Sequence, residues 1–136
     1  MNHPRQGESR IGSESDIVLA RKLVRNLAAE LGFGLTDVTR IVTAASELTR
    51  NIYQYAGSGL MRWQLLTEGS RAGLELIFED QGPGIPDIEK AMEAGFSTGK
   101  GLGLGLPGSR RLMDEMTIKS KIGQGTVIGV RKWLKQ

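Results

Sequence analysis

Glu47 and Asn51 stand four residues apart in the stretch SELTRNIYQYAG, and Asp80 opens the run Asp80-Gln81-Gly82-Pro83-Gly84-Ile85-Pro86. Further on, Gly101, Gly103 and Gly105 alternate with leucine in GKGLGLG. A carboxylate, an amide and two groups of glycines can together bind and activate a phosphorylated ligand. Glycine lacks a Cβ, so the chain can take positive φ and a ligand can approach the main chain. It fills eight of the 31 positions from Phe78 to Gly108, although each one placed in regular structure costs about 0.5–1 kcal/mol. The first group directly follows the apolar, β-prone run Leu74 to Phe78 and reads as a pocket for a base. The second, with Lys100 inside it, leads into a predicted helix, where free backbone N–H groups and the helix dipole favour a phosphate.

The elements that must position these residues follow from the apolar spacing. Ser15 or Asp16 can cap a helix in which Ile17, Ala20, Leu23, Val24, Leu27 and Leu31 recur at three and four, ending at Gly32. Thr36 is the expected cap of a longer helix with the apolar stripe Val38, Ile41, Val42, Ala45, Leu48, Ile52 and Ala56, stopped by Gly57. Leu60 to Leu66 and Leu74 to Phe78 are predicted strands joined through the polar residues 67–73 as a hairpin. Asp87 can cap a short helix through Ala94, and residues 95–101 read as a loop. Leu102 to Met113 can continue as a helix if Pro107 lies in its first turn. Met116 to Ile122 and Thr126 to Trp133 complete the pattern as two strands around Gly123-Gln124-Gly125. Residues 1–14 are polar and read as a flexible arm or a short edge strand around Ile11. The order α, α, β, β, α, α, β, β predicts an α+β domain spanning 1–136, a two-layer sandwich with helices on one face of a mixed, mostly antiparallel sheet.

Two placements follow. At 100° per residue Glu47 and Asn51 share a face that borders the apolar stripe, and that edge can look into a pocket. Asp80 continues the face of Leu74, Leu76 and Phe78, where a carboxylate is costly unless it accepts hydrogen bonds. Asp80 is therefore a poor core residue and a good ligand acceptor.

The composition narrows the function classes. There is no cysteine, which excludes disulfide and thiolate chemistry, and the single histidine, His3, lies in the N-terminal arm. No apolar run approaches the roughly 20 residues of a membrane span. The first residues carry no apolar signal core, so the cytoplasm is the default compartment. Net charge is +3, with the basic excess late in the chain at Arg110, Arg111, Lys119, Lys121, Arg131, Lys132 and Lys135. A solvated basic face is the plain reading and a docking surface for an acidic partner the sharper one. Nucleic acid is disfavoured, because the few aromatics are not interleaved with the basic residues.

Several phosphate-binding motifs fail. Residues 95–101, GFSTGKG, miss the spacing of G-x-x-x-x-G-K-[ST] and carry no hydroxyl after Lys100. Gly103 to Gly108 satisfy G-x-G-x-x-G, but no strand precedes them. The kinase motifs H-R-D and D-F-G are absent.

The combination of E-x-x-x-N on a helix, D-x-G-x-G after a strand and G-x-G-x-G before a helix resembles the Bergerat (GHKL) ATP-binding fold of gyrase, Hsp90, histidine kinases and MutL. Within that superfamily the segments SELTRNIYQYAG, EDQGPGIPDIEKAMEAGFSTGKGLGLGLPGSRRLMDE and GTVIGVRKWL are similar to the bacterial anti-sigma-factor serine/threonine kinases, specifically the stressosome switch kinases. The similarity covers residues 14–134.

The resemblance implies ATP and Mg²⁺ as cofactors. It assigns Glu47 as general base, Asn51 as the Mg²⁺ ligand, and Asp80 as acceptor from the adenine amino group. Gly82, Gly84, Ile85 and Thr126 complete the base contacts, and Lys100, Gly101, Leu102, Gly103, Leu104 and Gly105 surround the phosphates, with 91–101 as a mobile lid. It implies STAS-domain antagonist and scaffold proteins as substrates, and a PP2C-type phosphatase regulatory domain as a second partner. An anti-sigma factor, or a non-catalytic ATP-binding module that sequesters its partner, is the alternative; Glu47 beside Asn51 favours the enzyme.

Overall fold

The computed structural model describes residues 5–93 and 105–135, so His3, Ala94 and the predicted site residues Lys100, Gly101, Leu102, Gly103 and Leu104 lie outside the described residues. The chain runs β1 (Gln6–Ile11), α1 (Glu14–Leu31), α2 (Leu35–Asn51), a π-helical turn (Ile52–Ala56), β2 (Gly59–Glu68), β3 (Arg71–Asp80), α3 (Ile88–Ala91), α4 (Leu106–Leu112), β4 (Glu115–Lys121) and β5 (Gly125–Trp133).

Both long helices start earlier than expected. Ser13, with extended backbone, caps α1 by accepting from Asp16 N–H, and the Asp16 carboxylate returns to accept from Gly12 N–H at 2.9 Å. The cap is therefore Ser13, with Asp16 as the reciprocal partner, two residues ahead of Ser15. Likewise Gly34, not Thr36, holds the extended cap position of α2, without a side-chain bond, and Thr36 falls in the first turn. Gly32, at φ 98°, ends α1 as predicted by accepting the left-handed conformation.

The polar segment between β2 and β3 is shorter than expected. Pairing continues to Glu68 opposite Arg71, leaving Gly69 and Ser70 as the turn. Polar residues are tolerated there because that end of the hairpin is solvated and Arg71 binds Glu68 at 2.5 Å.

Strand order is β1-β2-β3-β5-β4, and every neighbouring pair is antiparallel. The long connection from β3 through α3 and α4 delivers β4 to the sheet edge, and β5 returns to fill the gap. No strand pair in the described sheet is parallel, so the sheet is antiparallel throughout and not mixed. Within the predicted arm, Gln6–Ile11 form the edge strand β1, with Ile11 fully buried.

One face of the sheet carries the core. Met61 and Trp63 of β2, Leu74, Leu76 and Phe78 of β3, and Ile128 and Val130 of β5 meet Val24 and Ala28 of α1 and Ile41, Ala45 and Leu48 of α2. Polar residues interrupt that face at both ends. Asp80 lies opposite Thr126 at one end, and Leu74 lies opposite Lys132 at the other. Lys132 is 7% exposed, so it is not part of a solvated basic face. Its Nζ donates to the carbonyl of Leu112 at 3.0 Å and lies 3.7 Å from Asp37 and 3.5 Å from Asp114. This lysine ties the end of α4 to the start of α2. Among the described residues no helix is long and apolar enough to cross a membrane.

Candidate functional site

The site lies where the C-terminal end of α2 meets the far ends of β3 and β5. Asn51 is the last α-helical residue, and the following π-turn brings Tyr55 to the same pocket. Such single π-turns are uncommon and often mark sites where a helix has been adjusted for function. The pocket is lined by Asn51, Tyr55, Asp80, Pro83, Gly84, Ile85, Thr126 and Ile128. Its volume is ≈ 90 Å³, against the ~10–15 Å³ that admits one water.

Asp80 sits at the pocket's polar end because the strand periodicity that buries Leu74, Leu76 and Phe78 carries on to it. Its Oδ1 accepts from Gly82 N–H at 2.9 Å. Partial burial raises its pKa above the ordinary carboxylate value, and bonds from the backbone of Gly82 and Thr126 oppose that rise. The carboxylate is thus held on the protein side by the Gly82 N–H.

The first glycine pair is needed for protein packing as well as for any ligand. A Cβ on Gly82 would come within 2.7 Å of the Ala56 methyl, in the π-turn. Gly84 has φ +81°, and a side chain there would run into the carbonyl of Lys121. Around them, Pro83 O accepts from Gly123 N–H at 2.9 Å and Ile85 N–H donates to Ser120 Oγ at 2.7 Å. The loop after β3 is therefore strapped to the β4–β5 turn.

Glu47 lies one helical turn before Asn51, with its side chain 42% exposed and its Oε1 3.8 Å from Arg50 Nη1. Gly105 caps α4 with φ 65°, and a Cβ built on it would be 2.7 Å from Glu47 Oε2. The helix that follows the second glycine group thus begins against Glu47. Pro107 lies in the first turn of α4, as expected.

Of the predicted site residues, Asn51, Asp80, Gly84, Ile85 and Thr126 are brought together in one pocket. Gly82 lies behind it, against Ala56, and Glu47 meets Gly105 at the start of α4. Sequence reasoning missed Tyr55, Ile128 and Ser120, and Pro83 lay within the run read as a base pocket without being singled out. Tyr55 is four residues after Asn51, and Ile128 is two after Thr126, so both carried a periodicity signal. Ser120 carried none, since its role arises only across the hairpin.

The sequence pattern of the histidine kinase-, DNA gyrase B- and HSP90-like ATPases matches residues 36–136. The chain is 58% identical over 126 residues to serine/threonine-protein kinase RsbT of Bacillus subtilis (strain 168), covering 93% of this chain and 95% of RsbT. It is 33% identical over 121 residues to the anti-sigma F factor of Thermoanaerobacter sp. (strain X514), covering 85% of this chain and 83% of that protein. A chain in the SiaB-SiaC complex from Pseudomonas aeruginosa matches with a TM-score of 0.57 at 14% identity, covering 95% of this chain and 89% of that one. The catalytic domain of histidine kinase ThkA matches with a TM-score of 0.50 at 16% identity, covering 93% of this chain and 95% of that one. At these identities the structural likeness is one of fold.

Proposed function

Because the chain belongs to the histidine kinase-, DNA gyrase B- and HSP90-like ATPase family and is a protein serine/threonine kinase, we propose that it uses Mg-ATP to phosphorylate STAS-domain partner proteins. On this reading it is a cytoplasmic partner-switching regulator in a bacterial stress-response or sigma-factor pathway. Once released from its substrates, it binds and activates a phosphatase through that enzyme's regulatory domain.

The residues fit an adenine nucleotide. Asp80, held by the Gly82 N–H, accepts from the amino group of the base, Thr126 stands beside it, and Ile85 and Ile128 supply apolar walls. Gly105 and the preceding residues 100–104 hold the phosphates. Among the described residues no group of three or more carboxylate or imidazole side chains could hold a metal ion. The neutral amide of Asn51 suits a hard cation that arrives already bound by phosphate oxygens. When bound, that Mg²⁺ neutralises charge on the transferring group. Glu47 orients the serine or threonine hydroxyl of the partner and accepts its proton.

The observation that carries this reading is the Glu47 carboxylate set against Gly105, one helical turn from Asn51 at the pocket. The test is a single-turnover incubation of the protein with labelled ATP, Mg²⁺ and candidate STAS domains. Label on a serine or threonine of the partner, lost with Glu47→Ala, supports the kinase reading. The 33% identity to an anti-sigma F factor favours a second reading, in which the protein sequesters a sigma factor. Stable capture of a sigma factor with no transfer to any STAS partner would establish that alternative.

A further inference from the structure

Ser120 lies on β4 outside the pocket lining, yet its hydroxyl has three partners. It is 2.7 Å from Ile85 N, 3.1 Å from Gly125 O and 2.9 Å from Thr126 Oγ1. A hydroxyl has one proton to donate and two lone pairs to accept with. The Ile85 N–H can only donate, so it takes one lone pair. The Gly125 carbonyl can only accept, so it takes the proton. The contact with Thr126 is then a hydrogen bond only if Thr126 donates to the remaining lone pair. One arrangement satisfies all three contacts, and it consumes the single hydroxyl proton of Thr126.

Thr126 Oγ1 is left with lone pairs alone. Thr126 lines the pocket beside Asp80, its register partner across β3 and β5. The Asp80 carboxylate also presents acceptors, with its Oδ1 accepting a hydrogen bond from Gly82 N–H on the protein side. The polar end of the pocket is thus acceptor-only at two adjacent groups.

We infer that Ser120 is a specificity-determining positioning residue: by taking the Thr126 proton it makes the pocket select a purine with an exocyclic amino group at this edge over one with a carbonyl there. This inference rests on the base-pocket reading proposed above. A carbonyl facing Asp80 and Thr126 would oppose lone pairs to lone pairs, whereas an amino group donates to them. Without Ser120, the Thr126 hydroxyl is free to turn its proton into the pocket and meet a carbonyl.

The test is calorimetric binding of Mg-ATP and Mg-ITP, which differ at that position, to the full chain and its variants. Ser120→Ala should lower the ATP-to-ITP affinity ratio by roughly threefold to tenfold, the worth of about one neutral hydrogen bond. Ser120→Thr, which keeps the hydroxyl on a strand-compatible side chain, should restore the ratio. Thr126→Val should lower it by itself, and adding Ser120→Ala to Thr126→Val should change it no further, because the effect passes through Thr126. An unchanged ratio in Ser120→Ala, or additive losses in the double variant, overturns the inference. If Ser120→Ala does not fold, Thr126→Val and Ser120→Thr decide it: an unchanged ratio in the first, or a lowered one in the second, overturns it equally. Asp80→Asn separates the two levels of argument. If it alters the ratio while Ser120→Ala does not, only the role of Ser120 fails; if it alters neither affinity, the base pocket fails and the inference with it.

Discussion

Gly105 meets the carboxylate of Glu47 so closely that one added methyl would stand 2.7 Å from Oε2. The glycine also has φ 65°, in the left-handed region that costs other residues about 1–2 kcal/mol. Because Glu47 is half exposed and flexible, the clash is relieved by moving its carboxylate. Gly105→Ala should therefore lose about 1–2 kcal/mol of stability, mostly from the backbone, while phosphoryl transfer falls by more than that loss explains. Urea unfolding and single-turnover transfer on the same preparation compare the two. Transfer at the native rate would detach Glu47 from the chemistry.

Glu47 and Asn51 lie one helical turn apart and should separate rate from binding. Glu47→Ala should leave nucleotide affinity nearly unchanged and lower transfer by roughly 10²–10⁴-fold, the usual worth of a positioned general base. Asn51→Ala should weaken Mg-dependent ATP binding as well as transfer. Calorimetry with and without Mg²⁺, beside single-turnover kinetics, distinguishes the two.

Asp80→Asn should weaken ATP binding by roughly 10–100-fold, because a charge-assisted acceptor is replaced on one oxygen by a donor facing the amino group. It should also change how stability depends on pH in the ligand-free protein. The Asp80 pKa is raised by burial, so its contribution to folding is fully present below the ordinary carboxylate pKa and is lost as pH rises through the raised folded value. Asparagine does not titrate. The stability difference should thus shift in favour of the variant as pH climbs through the carboxylate range and then level off, which denaturant melts across acid to neutral pH would show. A pH-independent difference would contradict the burial of Asp80.

Lys132 is buried between Asp37 and Asp114, with its Nζ also on the Leu112 carbonyl. Removing it leaves Asp37 inside the protein with, among the described residues, Arg40 at 3.0 Å as its cation. Lys132→Ala should cost about 3 kcal/mol, the low end for a broken buried pair, since Arg40 partly compensates. Chemical denaturation gives the value directly; a cost under about 0.5 kcal/mol would mean the pair is energetically solvated.

Much of this was legible in the sequence because it is local. The three-and-four spacing of Ile17, Ala20 and Val24, or of Ile41, Ala45 and Leu48, needs no tertiary information, nor does the alternation that brings Asp80 onto the core face. Capping was misplaced because Ser13, Ser15 and Asp16 are all competent caps, and the choice depends on where β1 releases the chain. Lys132 read as a surface cation because its partners, Asp37 and Asp114, come from distant segments. Gly82 and Gly84 read as room for a ligand, whereas Ala56 and Lys121 also occupy that room. Ser120 had no signature, because a serine that settles three donors and acceptors looks the same in sequence as one in water.

The strand register also sets the order in which the molecule can assemble. Only two pairings are local: β2 with β3 across Gly69-Ser70, and β4 with β5 across the turn at Gly123. The others join distant parts of the chain, with Gln6 opposite Gln64 and Gly73 opposite Trp133. Loop closure must be completed before those contacts are rewarded, so the two hairpins and the α1–α2 pair are the natural early units. The ligand pocket belongs to neither hairpin alone, since Asp80 comes from one and Thr126 from the other. Nucleotide recognition therefore appears only at the step that docks the hairpins, and a nucleotide added during refolding should slow unfolding without accelerating the formation of either hairpin.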